Sequence, residues 1–205
     1  DRLAAKISEP AVLQALLSFD GILVGGQSPH QETVDLLKGL GVKVVESYGM
    51  AETCGGCVYD GEPLNGVKVE IIDGLVAISG TTLAKGVGEQ YLSSDLGEIS
   101  GGRLKVLGRA DRVIISGGKK VSLDDLERQV SQLQEVESVM AVAVDSEWGQ
   151  SPALLLVLKD SSRSKEFDLD VEFAIKPAKV KIVKGLPMLS SGKPDYMAAT
   201  AMIKD

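Results

Sequence analysis

Histidine occurs once in these 205 residues, cysteine twice, basic residues are outnumbered by acidic ones, and no long apolar run exists. Each shortage removes a class of function. The cysteines, Cys54 and Cys57, are spaced C-x-x-C around Gly55 and Gly56, a pattern open to a redox pair or half a zinc site. A structural zinc site takes four ligands, mostly from Cys and His, whereas the one histidine is His30 and no second cysteine pair exists. Thioredoxin-type chemistry puts its pair at the start of a helix; here Gly55-Gly56 predicts a turn ahead of the apolar Val58-Tyr59. Two reduced thiols are the expectation. Lys plus Arg number 22 against 29 Asp plus Glu, a net charge of -7, and a phosphate-backbone binder would need a basic face. Nucleic acid is therefore not an expected partner. The longest apolar run, Ala153 to Leu158, falls far short of the roughly 20 residues a bilayer span requires. No cationic start followed by an apolar stretch marks a signal peptide, so the expectation is a cytoplasmic protein without membrane insertion.

What is present is enough apolar material, 44% of residues, to bury a core in two small domains. The chain opens on Asp1, and Arg2 to Ser18 reads as helical material from mid-domain, so a fragment is expected. Ile22-Leu23-Val24 followed by Gly25-Gly26 reads as a buried strand ending in a turn. Gln31 to Leu40 carries Val34, Leu37 and Leu40 at helical spacing, and Val42 to Val45 predicts a second strand. Strand, helix, strand is the βαβ unit of a parallel sheet, whose ligands gather at the carboxyl ends of the strands. From Val58 to Leu107, short strands (Val67 to Ile72, Leu75 to Ile78, Leu104 to Leu107) alternate with Gly, Asp and Ser, the pattern of an antiparallel subdomain. Beyond Gly108, Val113-Ile114-Ile115 predicts a strand, and Ser122 with Asp125 three residues on predicts a capped helix striped by Leu123, Leu126, Val130 and Leu133. Val139 to Val144, Leu154 to Leu158 and Val180 to Val183 predict strands, and Tyr196 to Ile203 a terminal helix. The expected architecture is mixed α/β and α+β. Residues 1–108 supply a βαβ unit plus an antiparallel β subdomain, the end of a large N-terminal domain, and residues 109–205 a small α+β domain.

Four segments carry candidate chemistry. Ser47-Tyr48-Gly49-Met50-Ala51-Glu52-Thr53 puts an aromatic ring, a glycine and a carboxylate just after a predicted strand: a ring can stack on a base, a glycine lets backbone approach a phosphate, and a carboxylate can hold Mg²⁺. Its plain structural alternative is a strand-end turn. Tyr91-Leu92-Ser93-Ser94-Asp95-Leu96-Gly97 offers a carboxylate in a predicted polar loop, suited to a ribose diol, or simply a hairpin loop. Gly108-Arg109-Ala110-Asp111-Arg112 joins the two domains, where a guanidinium can contact a nucleotide and a polar residue can serve as a pivot. Lys193 lies in Leu186-Pro187-Met188-Leu189-Ser190-Ser191-Gly192-Lys193, before Pro194; a Pro- and Gly-built turn can hold a flexible cation at a chosen point, although by itself it reads as a solvated lysine.

In this order the four segments, with Ile115-Ser116-Gly117-Gly118 and Leu126-Glu127 between the last two, resemble the adenylate-forming superfamily of acyl- and aryl-CoA ligases, luciferases and peptide-synthetase adenylation domains. The resemblance covers nearly the whole chain. Within the superfamily, the run from Tyr48 to Gly61 is most similar to the o-succinylbenzoate–CoA ligases of menaquinone synthesis. The resemblance implies that residues 1–108 end a large AMP-binding domain and that 109–205 form a mobile domain hinged near Asp111. Gly25, Gly26 and Gln27 would line the adenine and acyl pocket, and Tyr48, Gly49, Met50 and Ala51 would border the nucleotide. Glu52 would hold Mg²⁺, and Asp95 the ribose hydroxyls with Arg109 beside it. Lys193 would reach the carboxylate and α-phosphate, and Gly117 and Gly118 would line the CoA tunnel. ATP/AMP, Mg²⁺, CoA and a small carboxylic acid are the implied ligands; self-association is left open.

The chain departs from the family at several positions. Ala51 stands where Thr or Ser is usual, Ser93-Ser94 replaces Thr-Gly, and Arg112 replaces a common second Asp. No Ser/Thr/Gly-rich loop ending in Lys-Gly precedes the Tyr48 motif, so the 205-residue piece is not expected to catalyse adenylation alone. The alternatives are another aryl- or acyl-CoA ligase, and a non-catalytic nucleotide-binding module of the same fold.

Overall fold

In the computed structural model, which describes residues 6–26, 29, 31–147, 149–160, 169 and 175–204, contacts divide the chain into two units, residues 1–107 and 108–205. The first unit begins with α1 (Pro10–Leu17), β1 (Ile22–Gly25), α2 (Gln31–Gly39) and β2 (Val44–Met50). Pro10 opens α1, where its missing N–H costs nothing. Strands β1 and β2 are parallel, Ile22 facing Val44 and Gly25 facing Ser47. Val34 and Leu37 of α2 bury against Val42, Val44 and Ile7, so the helical spacing is realised as packing; Leu40, past the helix end, is exposed. At the end of α2, Lys38 lies 3.0 Å from Glu46 and 3.6 Å from Asp60.

Three expectations in this unit are corrected, the first two at the end of β2. Strand β2 does not stop at Val45 but runs on through Met50, because β3 (Gly55–Tyr59) folds back antiparallel and pairs Tyr48 with Val58 and Met50 with Gly55. Gly55 and Gly56 are therefore strand residues. The reversal is made by the 3-10 turn Ala51–Thr53 and by Cys54 in the left-handed region at φ 55°. Its organiser is Thr53, 1% exposed, whose Oγ1 accepts from the Met50 N–H at 2.9 Å and reaches the Gly55 carbonyl at 2.7 Å.

Beyond β4 (Glu62–Pro63), strands β5 (Val67–Ile72), β6 (Leu75–Gly80), β7 (Gln90–Ser100) and β8 (Arg103–Arg109) form an antiparallel sheet in sequence order. The segment read as a polar loop around Asp95 is the middle of β7, eleven residues long. Its partner is the buried β6, with Ile78 facing Tyr91 and Ala77 facing Leu92. Val76 and Ile78 join Cys57, Val58 and Leu104 in one core, and burying a side chain such as Ile78 contributes about 2 kcal/mol.

The second unit holds β9 (Val113–Ser116), β10 (Lys119–Ser122), α3 (Leu123–Ser131), β11 (Val136–Ser146), β12 (Gly149–Leu158), β13 (Lys179–Ile182) and α4 (Tyr196–Lys204). Ser122 Oγ accepts from the Asp125 N–H at 3.1 Å and caps α3. Strand β12 is apolar and buried from Pro152 onward because both faces are covered there: Leu154, Leu156 and Leu158 pack with Leu123, Leu126 and Val130 of α3, while Ala153 and Leu155 pack with Ala199 and Ile203 of α4. Lys179 and Lys181, on one face of β13, donate to the carbonyls of Ile203 and Met202, the latter at 2.7 Å. They satisfy the last turn of α4 and hold it to the sheet.

Candidate functional site

In the first unit, the structure brings Tyr48 and Asp95 together. The Tyr48 hydroxyl donates to Asp95 Oδ2 at 2.7 Å, joining β2 to β7. Burial pushes the Tyr48 phenol above its usual range, so it stays a proton donor at neutral pH. A carboxylate offers about four acceptor positions; the tyrosine occupies one and orients the group. The Asp95 N–H in turn donates to Ser93 Oγ at 3.1 Å, Ser93 being buried. The change to serine is thus absorbed as a local turn-like bond within a strand.

The glycines earn two different explanations. A Cβ on Gly25, at the end of β1, would lie 2.2 Å from Ser47 Oγ, and one on Gly49 would lie 1.9 Å from the Gly55 carbonyl oxygen. Both are required by close strand approach. Gly26 has φ 85° with nothing within 4 Å of a built Cβ, so only its backbone angle calls for glycine. Gln27 lies outside the described residues.

Met50 closes β2, and Ala51 and Glu52 occupy the 3-10 turn, with the Glu52 carbonyl accepting from the Ala84 N–H at 2.8 Å. Among the described residues the Glu52 carboxylate has no hydrogen-bond or ion-pair partner, and it is half-buried. One hard oxygen ligand of this kind fits Mg²⁺, which takes one or two carboxylates and completes its shell with water and phosphate.

In the second unit, Arg109 forks onto Asp111, Nε to Oδ1 at 2.9 Å and Nη2 to Oδ2 at 2.6 Å. The guanidinium holds the Asp111 carboxyl below its ordinary value, but the pair is exposed and contributes about 1 kcal/mol or less. Gly117 and Gly118, at φ 53° and 78°, form the two-residue tip between β9 and β10, the left-handed pair that a tight hairpin demands. Lys193 sits on a closed turn. The Leu189 N–H donates to the Lys193 carbonyl at 2.8 Å, the Gly192 N–H to Leu189 O at 2.9 Å, and the Asp195 N–H to Pro187 O at 3.0 Å. Asp195 Oδ1 accepts from the Ala198 N–H at 2.9 Å and caps α4. The Lys193 side chain is exposed and, among the described residues, unpartnered.

A half-buried charge cluster in this unit joins Arg112 and Glu127, both singled out in the sequence, to Asp124, which was not. The Arg112 guanidinium, 11% exposed, bonds Asp124 through Nε and Glu127 at 2.6 Å through Nη2. Glu127 Oε1 also accepts from the Ala141 N–H at 2.7 Å. One cation facing two carboxylates leaves one of them underpaired, and burial pushes Glu127 up to about 7 against the pull of Arg112 and the Ala141 N–H. With the folded value above the ordinary 4.5, the stabilisation this group gives is full below that ordinary value and is lost as pH rises through the folded one. We expect an NMR titration of the Glu127 carboxyl carbon to show a midpoint near 7 and Glu127→Gln to flatten the fall in stability from about pH 5 to 8. A midpoint in the ordinary carboxylate range would contradict the cluster.

No family model matches the chain. A Mycobacterium tuberculosis (strain ATCC 25618 / H37Rv) protein named "Probable 2-succinylbenzoate--CoA ligase" is 33% identical over 222 aligned positions, covering 96% of this chain and 57% of that protein. The Escherichia coli K12 2-succinylbenzoate–CoA ligase is 26% identical, covering 71% of this chain and 37% of its own length. Over nearly its whole length the chain is similar to the 2-succinylbenzoate–CoA ligases. It spans about half the length of the curated relatives it matches. The fold of this ligase-like chain is also that of the Bacillus subtilis o-succinylbenzoate CoA synthetase (MenE) in complex with ATP and magnesium ion, at TM-score 0.74 and 21% identity over 100% of this chain and 54% of that one. The anthranilate CoA ligase AuaEII in complex with anthranoyl-AMP superposes at TM-score 0.75, with 17% identity over 98% of this chain and 48% of that one. The expected mixed architecture is what these neighbours share. Among the described residues of the ligase-like chain, no helix is long and apolar enough to cross a membrane.

Proposed function

We propose that the full-length protein is an ATP-dependent acid–CoA ligase that joins o-succinylbenzoate to CoA through an acyl-adenylate. The observation that carries this reading is the 33% identity, over nearly the whole chain, to a protein bearing that activity in its name. In the first half-reaction a carboxylate oxygen attacks the α-phosphorus of ATP, pyrophosphate leaves and a mixed anhydride forms. In the second, the CoA thiol attacks the activated carbonyl and AMP leaves.

Both attacking and attacked groups of the first step are anionic, so cationic groups must stand where negative charge collects. Lys193 supplies one, on a turn stiff enough to aim it. Mg²⁺, held by Glu52, would supply charge neutralisation on the phosphates. Tyr48 presents an aromatic face beside the base, and Asp95, oriented by the Tyr48 hydroxyl, accepts from the ribose diol. Gly25, Gly26 and Gln27 with Gly49, Met50 and Ala51 line the nucleotide and acyl side, Ala51 without the hydroxyl that a Thr or Ser would offer the α-phosphate. The Arg109–Asp111 fork sits where the chain passes between domains 1–108 and 109–205, and Asp111 is the pivot. The hairpin tip Gly117-Gly118 leaves its backbone bare for the CoA arm. One rotation would exchange Lys193 for that hairpin between half-reactions.

The test is a panel of aryl and acyl carboxylic acids given to the full-length protein with ATP and CoA, reading thioester and pyrophosphate. We expect o-succinylbenzoate to exceed every other acid in kcat/KM by about tenfold or more. Preference for another acid would remove the narrower assignment; no acid-dependent pyrophosphate release would remove the ligase.

A further inference from the structure

Arg112 faces helices α3 and α4 at once. Besides its bonds to Asp124 and Glu127 of α3, its guanidinium carbon lies 3.8 Å from the centroid of the Tyr196 ring, a cation–π contact made largely out of solvent. Tyr196 is the first residue of α4 and is three residues beyond Lys193. Between them the backbone is closed by the Met188–Pro194 bridge and the bond from the Asp195 N–H to Pro187 O, so turn and helix start move as one piece. The far end of α4 is fixed by Lys179 and Lys181. Its near end, capped by Asp195, belongs to the same hydrophobic cluster as Val183 and Leu186 and meets the Arg112 guanidinium through Tyr196. The carboxylates, in turn, are anchored: the Arg109 N–H donates to Asp124 Oδ2 at 2.8 Å, and a Cβ on Gly108 would come within 2.7 Å of that same oxygen.

We propose that Arg112 and Tyr196 are positioning residues that fix the Lys193 turn relative to the Arg109–Arg112 segment, and so act on the half-reaction that uses Lys193. The inference rests on the ligase reading above. A guanidinium is suited to this because its edge bonds carboxylates while its face stacks on a ring. The Asp more usual at this position could hold neither the two acids nor the ring. The arrangement thus converts the departure at Arg112 from a tolerated change into a coupled one, in which Tyr196 is its partner.

The experiment uses the full-length protein and measures the half-reactions separately: acid-dependent ATP–pyrophosphate exchange, and thioester formation from supplied acyl-adenylate. Tyr196→Leu leaves Arg112 with its carboxylates but removes the ring, and we expect it to lower the exchange kcat by roughly tenfold with little change in the KM for ATP. Thioester formation should stay within about twofold of the unsubstituted protein. Tyr196→Phe, which keeps the ring face, should hold exchange within about twofold of the unsubstituted protein. Equal losses in both half-reactions, or full exchange in Tyr196→Leu, would overturn the proposal. Should Tyr196→Leu fail to fold, Arg112→Lys keeps the charge but loses the planar fork, and an exchange kcat equal to that of the unsubstituted protein would overturn it as well. Lys193→Ala separates the two levels: if it too leaves exchange intact, the ligase role of Lys193 is what fails, whereas exchange lost in Lys193→Ala but kept in Tyr196→Leu refutes only the positioning role.

Discussion

Replacing Lys193 by Ala in the full-length protein should lower acyl-adenylate formation by about 10²- to 10³-fold while leaving the fold intact. The size follows from what an ammonium contributes where charge develops in a water-poor site, a loss comparable to removing one preorganised oxyanion donor. The selectivity follows from position. The side chain is exposed and has no partner among the described residues, and the turn is closed by backbone bonds from Leu189, Gly192 and Asp195, none of which the side chain makes. Stability should therefore change by about 0.5 kcal/mol or less. Conversion of supplied acyl-adenylate to thioester, a step in which no anionic phosphorus is attacked, should continue. Pyrophosphate exchange and a thermal melt on the same sample check both halves of this expectation. Exchange at the unsubstituted rate would show that Lys193 is the solvated surface residue that its exposure alone suggests.

The second large effect is structural. Gly49→Ala should destabilise the first unit by about 3 kcal/mol or more, the upper end for overpacking. A Cβ there would meet the Gly55 carbonyl oxygen at 1.9 Å, its carbon at 2.7 Å and the Gly56 Cα at 2.8 Å. All three are backbone atoms of the paired strand, so no rotamer change relieves the clash, and β2 and β3 must separate. Gly26→Ala is the control. It adds a methyl group into open space at φ 85°, a left-handed angle that costs about 1–2 kcal/mol. Denaturant unfolding of the two variants should rank them in that order; the reverse ranking would mean that the close crossing at Gly49 does not exist in solution. Because Gly49 lies next to Tyr48, loss of the crossing should also weaken nucleotide binding, so structure and site share this glycine.

Sequence pattern located the second unit well because its signals are local. The stripe Leu123, Leu126, Val130 and the serine ahead of it lie within one helix and its cap, although Leu133, expected in the same stripe, lies past the helix end, and the apolar run of β12 signals a strand covered on both faces. In the first unit the same rules stopped β2 five residues short and read β7 as a loop. Ser93, Ser94 and Asp95 look like loop residues one by one; they sit at a register irregularity of β7, between the Leu92–Ala77 and Leu96–Leu75 pairs with β6, where Ser93 Oγ takes up the Asp95 N–H. Polar residues are cheap in a strand whose backbone is paired and whose hydroxyls are satisfied, and propensity scales do not see the partner.

By itself, the sequence determined the order of the motifs, the capped helix, the turn that carries Lys193, and the similarity to the 2-succinylbenzoate–CoA ligases. These are properties of neighbouring residues or of motif order, and survive without knowledge of what touches what. The tertiary structure alone decided that the Tyr48 hydroxyl meets Asp95 across 47 residues, that Gly49 is held to glycine by Gly55, and that Arg112 finds Asp124, Glu127 and the Tyr196 ring together. A guanidinium has many acidic residues to choose from along the chain. Which of them it pairs with depends on strand register and helix packing, and both are settled only when distant segments meet.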